Sequence, residues 1–268
     1  MIKSPTNYSG SKDKIMDQLL NYFPEKVDTF YDVFCGGLSV SINTKYDNII
    51  SNDIIEPLIN FYKNLQNCYS IKEEISKIES FAINKQSKED FLEVRKSFNT
   101  TKDPYLFFSL ISSCTNNMMR FNKKFEFNQS FGKRTINKST IDKLYTFTKE
   151  IKRKNIKFHS LNFTELLEKF PPKEKDFVYL DPPYLITEAG YNAYWSKELE
   201  ISLLNTLDEL NNSNIRFALS GVSVHKGIPN PYMLRLEKYK IINIEHNYEK
   251  VARKKNVGDS QEILVINY

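Results

Sequence analysis

The amino-acid sequence predicts an α/β protein in which the sheet is interrupted by a mainly helical insertion. A strand, a glycine turn, a helix and a second strand follow one another within 29–53, and strand-like segments return from about residue 156. Between about 60 and 118, apolar residues recur at helical spacing and strand-like alternation is absent. Two stretches of sheet-forming sequence therefore flank a helical segment.

Composition narrows the class of protein before any motif is considered. The 268 residues are 40% hydrophobic and 26% charged, which suits an α/β core with one appended subdomain. No apolar run approaches a bilayer span and the N-terminus lacks a signal-peptide pattern, so we expect a cytoplasmic protein. The three cysteines and three histidines are scattered without metal-ligand spacing, and we expect no metal site.

The first strand, 29–34, runs into the turn Cys35-Gly36-Gly37 and a helix to about Tyr46. Glycines allow the backbone to approach a ligand closely, but the Gly-x-Gly-x-x-Gly of a pyrophosphate site is missing. Asp53 ends the next strand, 48–53, where an acid can bind ribose hydroxyls. The order favours S-adenosylmethionine, which has an adenosine and no phosphates; an ordinary turn and a strand-end cap are the alternative.

A helix is predicted to start at Glu56-Pro57, just before the insertion, because proline is tolerated in the first turn. Within the insertion, Asp103-Pro104 indicates another helix start. Residues 119–139 lose the helical spacing and indicate a hairpin or extended loop. Over 120–139 a net charge of +5 comes from one acid, Glu126, and six basic residues: Arg120, Lys123, Lys124, Lys133, Arg134 and Lys138. Such a patch suits phosphate contact, and a solvated loop is an equal alternative on charge alone.

The turn at Gly132 would direct Arg134 outward. A planar guanidinium matches the N7 and O6 acceptors of guanine in the major groove. The alternative is an arginine that contacts phosphate or only solvent.

The segment 177–184 combines a buried strand with an acid, two prolines and an aromatic ring. Two successive prolines cannot continue a sheet ladder, so Asp181 should lie at the carboxyl end of the strand, where open α/β sheets bind ligands. Its carboxylate, the Pro182 carbonyl fixed before Pro183, and the Tyr184 ring suit a planar amine such as the exocyclic nitrogen of a nucleobase. An ordinary strand ending in a Pro-Pro turn is the alternative.

The remaining elements follow from the same patterns. Helices are predicted at 141–153 and 197–212, and strands at 156–161, 176–181, 215–222, 240–248 and 262–268. The stretch 185–195 resembles a lid, with Trp195 anchoring the helix after it. At the N-terminus, the residues alone favour a disordered segment with Ser11 as a helix cap over a role for Tyr8 and Lys12 at a cofactor.

Taken together, the motifs at 8–12, 32–41, 52–57, 131–137 and 178–187 resemble those of Dam-type DNA adenine-N6 methyltransferases of the α group, and are similar to the short enzymes of T-even phages. The resemblance implies a Rossmann-like S-adenosylmethionine-dependent methyltransferase sheet with an inserted, mainly helical DNA-recognition subdomain. It implies a catalytic, cofactor-binding domain at 1–58 and 145–268. The target-recognition domain would be 59–144, with its basic hairpin at about 119–139.

The resemblance also assigns roles to individual residues. The cofactor S-adenosylmethionine would be bound by Tyr8, Lys12, Phe34, Gly36, Gly37, Asp53, Phe163 and Asp181, and catalysis would use Asp181, Pro182, Pro183 and Tyr184. Double-stranded DNA, read at GATC, would be the partner of a monomer or weak dimer in a bacterial or phage-infected cell. Its contacts would come from Asn117, Met118 (thymine), Arg120, Ser130, Lys133 and Arg134 (guanine).

Two positions depart from the resemblance. Thr115 stands where relatives carry an aromatic residue that wedges into the base stack, and Ser130 replaces a proline. Either change could alter base flipping or relax discrimination at one base pair. Methyl transfer to an RNA adenine or a protein amide, and a non-catalytic DNA-binding relative, remain the competing interpretations.

Overall fold

The structure, a computed structural model, describes residues 1–6, 8, 10–122, 124–186, 195–245 and 260–268. Its helices are α1 (Met16–Tyr22), α2 (Ser39–Asn43), α3 (Glu56–Asn67), α4 (Ile71–Ser80), α5 (Lys88–Thr101), α6 (Pro104–Ser113), α7 (Lys138–Arg153), α8 (Phe163–Lys169), α9 (Lys197–Asn212) and α10 (Met233–Leu236). Its strands are β1 (Phe30–Asp32), β2 (Asn48–Asn52), β3 (Asn155–His159), β4 (Phe177–Leu180), β5 (Arg216–His225), β6 (Ile228–Pro229), β7 (Lys240–Asn243) and β8 (Gln261–Ile266). None of the helices in these ranges is both long and apolar enough to span a bilayer.

The chain divides into two compact units. The first comprises Met1–Ser11, Cys35–Asp47 and Ser51–Ser160, and the second comprises Lys12–Phe34, Asn48–Ile50 and Leu161–Tyr268. These units are defined by contacts within the chain. The functional division into a catalytic domain and a target-recognition domain stays a prediction.

The second unit is built on a sheet whose strands have the order β1-β4-β5-β8-β7. Strand β4 lies parallel to both β1 and β5, with Tyr179 aligned to Asp32 on one side and to Ala218 on the other. Strand β8 is antiparallel to β5 and β7. All four residues of β4 are buried, as expected for a central strand covered on both faces.

The core of this unit forms where helix α9 covers the sheet. Ser196 caps the helix by accepting a hydrogen bond from the Leu199 N–H. The buried leucines of α9 recur at helical spacing and join one apolar cluster with the strands: Leu203, Leu204, Leu207, Leu210, Val178, Leu180, Phe217 and Val265. This packing fixes the carboxyl end of β4, from which the candidate site begins.

The first unit is mainly helical. Asp103 caps α6 through the N–H groups of Tyr105 and Leu106, and its core contains the stacked rings of Phe61 and Phe108, 4.5 Å apart. Within the unit, the Asp53 N–H donates to the His159 carbonyl at 3.3 Å, at the end of β3. A mixed α/β chain with a helical insertion is therefore confirmed.

Most predicted elements lie within a few residues of the observed ones. The helix α8 was missed, although Asn162 caps it and Glu165 follows three residues later, a recognised start signal. The last part of the predicted strand 240–248 and most of the predicted lid, 187–194, lie outside the described residues. In the described part of the basic segment, Phe121 forms an isolated antiparallel bridge with Phe127, and Phe131 forms one with Cys114, which precedes the segment.

Candidate functional site

Asp181 lies directly after β4, as the Pro-Pro pair predicts. The strand ends at Leu180, which pairs in parallel with Leu219 of β5. The Asp181 side chain is 17% exposed, so its carboxylate is shielded but reachable from solvent. A carboxylate in this place can accept hydrogen bonds from a bound amine.

Lys12 and Tyr184 hold the Asp181 carboxylate. The Lys12 Nζ lies 2.9 Å from Asp181 Oδ1, and the Tyr184 hydroxyl donates to the same oxygen at 2.7 Å. Lys12 also donates to the Tyr184 hydroxyl at 3.0 Å, which closes a triangle of three polar atoms. Within the described residues these bonds use Oδ1, and Oδ2 can therefore accept from a ligand.

The charge on Lys12 is secured by its surroundings. The side chain is 7% exposed, and burial alone would lower its pKa. Burial is the largest single effect, but the attractions of Asp181, Tyr179 and Glu262 together with the hydrogen bond to Asp181 outweigh it and hold the pKa of Lys12 above its ordinary value. Burial and the nearby Asp181 also raise the pKa of the Tyr179 phenol, whose oxygen lies 2.7 Å from Ser220 Oγ. Lys12 is therefore a fixed cation beside Asp181.

Three aromatic rings of the second unit form a cluster. The ring centroids of Phe34 and Phe163 are 5.6 Å apart, and Trp195 lies 5.6 Å from Phe34 and 5.8 Å from Phe163. The Trp195 Nε1 donates to Glu200 Oε2 of α9 at 2.6 Å, so Trp195 does anchor the helix that follows. Sequence reasoning named Phe34 and Phe163 for the cofactor but did not connect Trp195 with them.

In the first unit, the glycine turn lies against Tyr8. Gly36 has a φ of +43°, and a Cβ there would come within 2.7 Å of the Tyr8 ring. A Cβ on Gly37 would lie 2.8 Å from the Tyr8 Cβ. Both glycines therefore make room for Tyr8 in this structure. The N-terminal segment is packed here, with Ser4 and Thr6 buried, contrary to the expectation of disorder.

Ser11, the expected helix cap, lies directly before a 3-10 turn and not directly before the α-helix α1. The residue before α1 is Ile15, and the Ser11 Oγ lies 3.0 Å from Ser39 Oγ. The 3-10 turn over Lys12–Lys14 intervenes between Ser11 and α1.

Asp53 braces the glycine turn. Its Oδ2 accepts from the Gly36 N–H at 3.0 Å and its Oδ1 from the Ile55 N–H at 3.0 Å. The carboxylate is 8% exposed, and burial raises its pKa despite these two bonds. The Tyr62 hydroxyl donates to the Gly36 carbonyl at 2.9 Å. Asp53 thus has a structural role, and its oxygens retain lone pairs for a ribose.

The predicted DNA residues other than Arg120 lie in the segments 113–118 and 128–134 of the first unit. Arg120 donates to the Asn128 side chain at 3.0 Å and to its carbonyl at 2.9 Å. Arg134 donates to Asn117 at 2.5 Å. Lys133 is exposed and has a φ of +53°, whereas Met118 is half-buried. Lys123, part of the basic patch, lies outside the described residues.

The two positions that depart from the resemblance contact each other. The Thr115 Oγ1 lies 2.9 Å from Ser130 Oγ, and the Thr115 N–H donates to the Ser130 carbonyl at 2.9 Å. Sequence reasoning treated the two as separate changes. Their pairing could not be inferred from spacing, because the intervening loop sets which residues face each other.

Comparison with known proteins adds an independent line of evidence. The chain matches the family of D12 class N6 adenine-specific DNA methyltransferases over residues 8–255. It is 36% identical over 285 residues to the Type II methyltransferase M.FokI of Planomicrobium okeanokoites, and 34% identical over 281 residues to the modification methylase StsI of Streptococcus sanguinis. Both alignments cover 100% of this chain and 43% of the relative, so the chain spans less than half of their length.

A DNA adenine methylase of Serratia marcescens is 29% identical over 212 residues, which cover 76% of this chain and 75% of that protein. The matched family range includes the glycine turn, the segments 113–118 and 128–134, and Asp181.

Proposed function

Because the chain belongs to the D12 class of N6 adenine-specific DNA methyltransferases, we propose that it transfers a methyl group from S-adenosylmethionine to N6 of a flipped-out adenine in duplex DNA. We propose GATC as the target sequence, on the basis of the motif at 131–137 that resembles Dam-type enzymes. The observation that carries the proposed chemistry is the triangle of Lys12, Asp181 and Tyr184 at the end of β4.

Within each unit taken by itself, the residues proposed for S-adenosylmethionine have the chemistry that this cofactor requires. Its adenine suits the rings of Phe34 and Phe163, and its ribose hydroxyls suit the Asp53 carboxylate, whose oxygens are fixed by backbone donors. Lys12 and Tyr8 are the residues proposed for its charged end. When bound, S-adenosylmethionine supplies an electrophilic methyl group on a sulfonium.

The proposed work of the protein is to orient the adenine amine. The N6 lone pair is delocalised into the ring, and Asp181 and the Pro182 carbonyl would each accept one N6 hydrogen. These bonds favour a tetrahedral nitrogen whose lone pair is available for attack. Tyr184 would stack on the flipped base while its hydroxyl stays bonded to Asp181. In this scheme, most of the rate acceleration comes from orientation of the amine and from fixed charges. Flipping the adenine out of the duplex first costs about a few kcal/mol of lost base stacking.

A methylation map tests the proposal. Purified protein is incubated with plasmid DNA and S-adenosylmethionine, and modified bases are located by single-molecule sequencing. We expect N6-methyladenine confined to GATC. Methylation of adenine elsewhere would retain the reaction and overturn the target sequence.

Parallel reactions separate the competing functions. Transfer of radiolabelled methyl to RNA or protein, with none to duplex DNA, would favour those substrates, and no transfer at all would favour a non-catalytic DNA-binding protein. The matched variants are Asp181→Asn, which keeps the size of the side chain, and Asp181→Ala. Both should abolish turnover and leave most DNA affinity, because phosphate contacts dominate binding.

The setting of the reaction follows from its substrate. We propose that the protein acts as a monomer or weak dimer on DNA, in the cytoplasm of a bacterial or phage-infected cell. Sedimentation with and without a duplex tests the oligomeric state.

A further inference from the structure

The contact between Asn117 and Arg134 joins a buried side chain to an exposed one. Asn117 is 7% exposed, whereas Arg134 lies on the surface. The Arg134 Nη1 donates to Asn117 Oδ1 at 2.5 Å. One edge of the guanidinium is therefore fixed to the interior of the first unit.

Asn117 is itself held in one orientation. Its Nδ2 donates to the Ile111 carbonyl of α6 at 2.8 Å. A carbonyl can only accept and a guanidinium can only donate, so the carboxamide has one arrangement that satisfies both neighbours. The backbone of Asn117 has a φ of +54°, a conformation that asparagine tolerates better than most residues. The amide is consequently a rigid support.

The backbone just before Arg134, at Gly132, is also held in place. The Gly132 N–H donates to the Ser113 carbonyl at 2.9 Å, and a Cβ on Gly132 would come within 2.4 Å of the Cys114 carbonyl group. Only a residue without a side chain allows this approach. Arg134 follows this closely packed backbone after two residues, and Asn117 fixes the far end of its side chain.

An amide support has a different effect from a carboxylate support. Among the ion pairs of the described residues, none involves Arg134, so its charge is not cancelled by a fixed acid. Guanidinium has five N–H donors, and one bond to Asn117 leaves the others for acceptors on a nucleic acid. The arrangement restrains the side chain without neutralising it.

We propose that Asn117 is a positioning residue that sets the direction of the Arg134 guanidinium and thereby the base pair that Arg134 discriminates. This inference rests on the proposed DNA function and replaces the expected direct contact of Asn117 with DNA. Because positioning acts on recognition before any chemistry, DNA-binding selectivity tests it without requiring methyl transfer.

The chain provides a matched control. Asn116 and Asn117 are neighbours with φ values of +57° and +54°, and Asn116 is exposed. Glycine fits both backbones, so Asn117→Gly removes the carboxamide with little backbone strain and Asn116→Gly makes the same change beside it. These variants, Arg134→Ala and the double variant Asn117→Gly/Arg134→Ala are compared by competition binding to duplexes with every single-base change in the target.

We expect Arg134→Ala to lose about 5- to 150-fold discrimination at one base pair. Asn117→Gly should lose discrimination at the same base pair, the double variant should be no worse than either, and Asn116→Gly should match the wild type.

Retained discrimination in Asn117→Gly would overturn the inference, as would additive losses in the double variant. If Asn117→Gly fails to fold, NMR of the wild-type guanidinium gives the answer, because rapid averaging of the Arg134 Nη signals would show that Asn117 does not hold the side chain and would contradict the inference. A wild-type protein that binds selectively without methylating would refute the proposed reaction and leave the inference standing. Binding without base discrimination would refute the inference itself.

Discussion

Replacing Lys12 with methionine isolates the charge beside Asp181. Lys12→Met keeps an unbranched chain of similar length and removes the ammonium that contacts both Asp181 and Tyr184. The Tyr184 hydroxyl can still donate to Asp181, so one of the two bonds to Oδ1 remains. The change therefore tests the ion pair within an otherwise similar site.

The expected cost follows from the burial of the pair. Removing one partner of a buried ion pair costs about 3–5 kcal/mol, because the other charge is left uncompensated. Lys12 is 7% exposed and Asp181 is 17% exposed, which places the expected loss near the lower end, about 3 kcal/mol. At 2–4 °C per kcal/mol for a large domain, the midpoint of thermal unfolding should fall by about 6–12 °C.

The dependence on pH has a definite sign. Burial lowers and Asp181 raises the Lys12 pKa, and the net effect is a rise. A group with a raised pKa in the folded state contributes its full stability below the pKa of the unfolded state, about 10.4, and loses it as the pH increases beyond that. The difference between wild type and Lys12→Met should therefore be constant from about pH 6 to about pH 9.

The assay combines thermal unfolding with methyl transfer. Lys12→Arg keeps the charge and should lose less stability than Lys12→Met. Tyr184→Phe removes the second donor to Asp181 and keeps the ring proposed to stack on adenine. If Lys12→Met unfolded at the wild-type temperature and methylated DNA at the wild-type rate, the ion pair would neither stabilise the fold nor position the Asp181 carboxylate.

Three further predictions follow from single contacts. Burial raises the pKa of Glu200, so ionisation of this carboxyl lowers the stability of the folded protein as the pH rises. Glu200→Gln keeps an acceptor for the Trp195 indole and removes the charge. The variant should therefore unfold at a higher temperature than wild type near pH 8 and at the same temperature near pH 4. Gly36→Ala should lose more stability and more S-adenosylmethionine affinity than Gly227→Ala. Both glycines have a positive φ, but only a Cβ on Gly36 would collide with Tyr8. Equal losses of unfolding temperature and binding affinity, measured by calorimetry, would contradict this. Thr115→Val should cost about 0.5–1.5 kcal/mol in chemical denaturation, the value of one hydrogen bond.

The location of Asp181 could be predicted from sequence because its determinants are local. A run of strand-forming residues and two prolines fix both the strand and its end, and the buried β4 ends at Leu180. The glycine turn and the terminal acid of β2 were predictable for the same reason. Their contact, Gly36 N–H to Asp53, lies within the first unit.

The partners of these residues could not be predicted, because tertiary packing selects them. Lys12 reaches Asp181 from far along the chain, and nothing in the motif around Lys12 specifies that contact. Tyr8 likewise fills the space that the glycines were expected to keep for a ligand. Charge and spacing in the sequence identify these residues as candidates, but tertiary packing determines which groups each of them contacts.

The pair Thr115 and Ser130 shows how two apparent departures can be one structural change. Ser130 contributes its N–H to Gln129 Oε1 at 3.1 Å and its hydroxyl to the contact with Thr115. A proline at 130 has no N–H and no hydroxyl, so it would remove both bonds. An aromatic residue at 115 could not replace the hydroxyl contact. Exchanging either residue alone breaks the Thr115–Ser130 side-chain contact, although the Thr115 hydroxyl also lies 3.3 Å from the Ser130 and Phe131 carbonyl oxygens. Base discrimination measured in the two single exchanges and in the double exchange to an aromatic residue and proline therefore tests what this pair does.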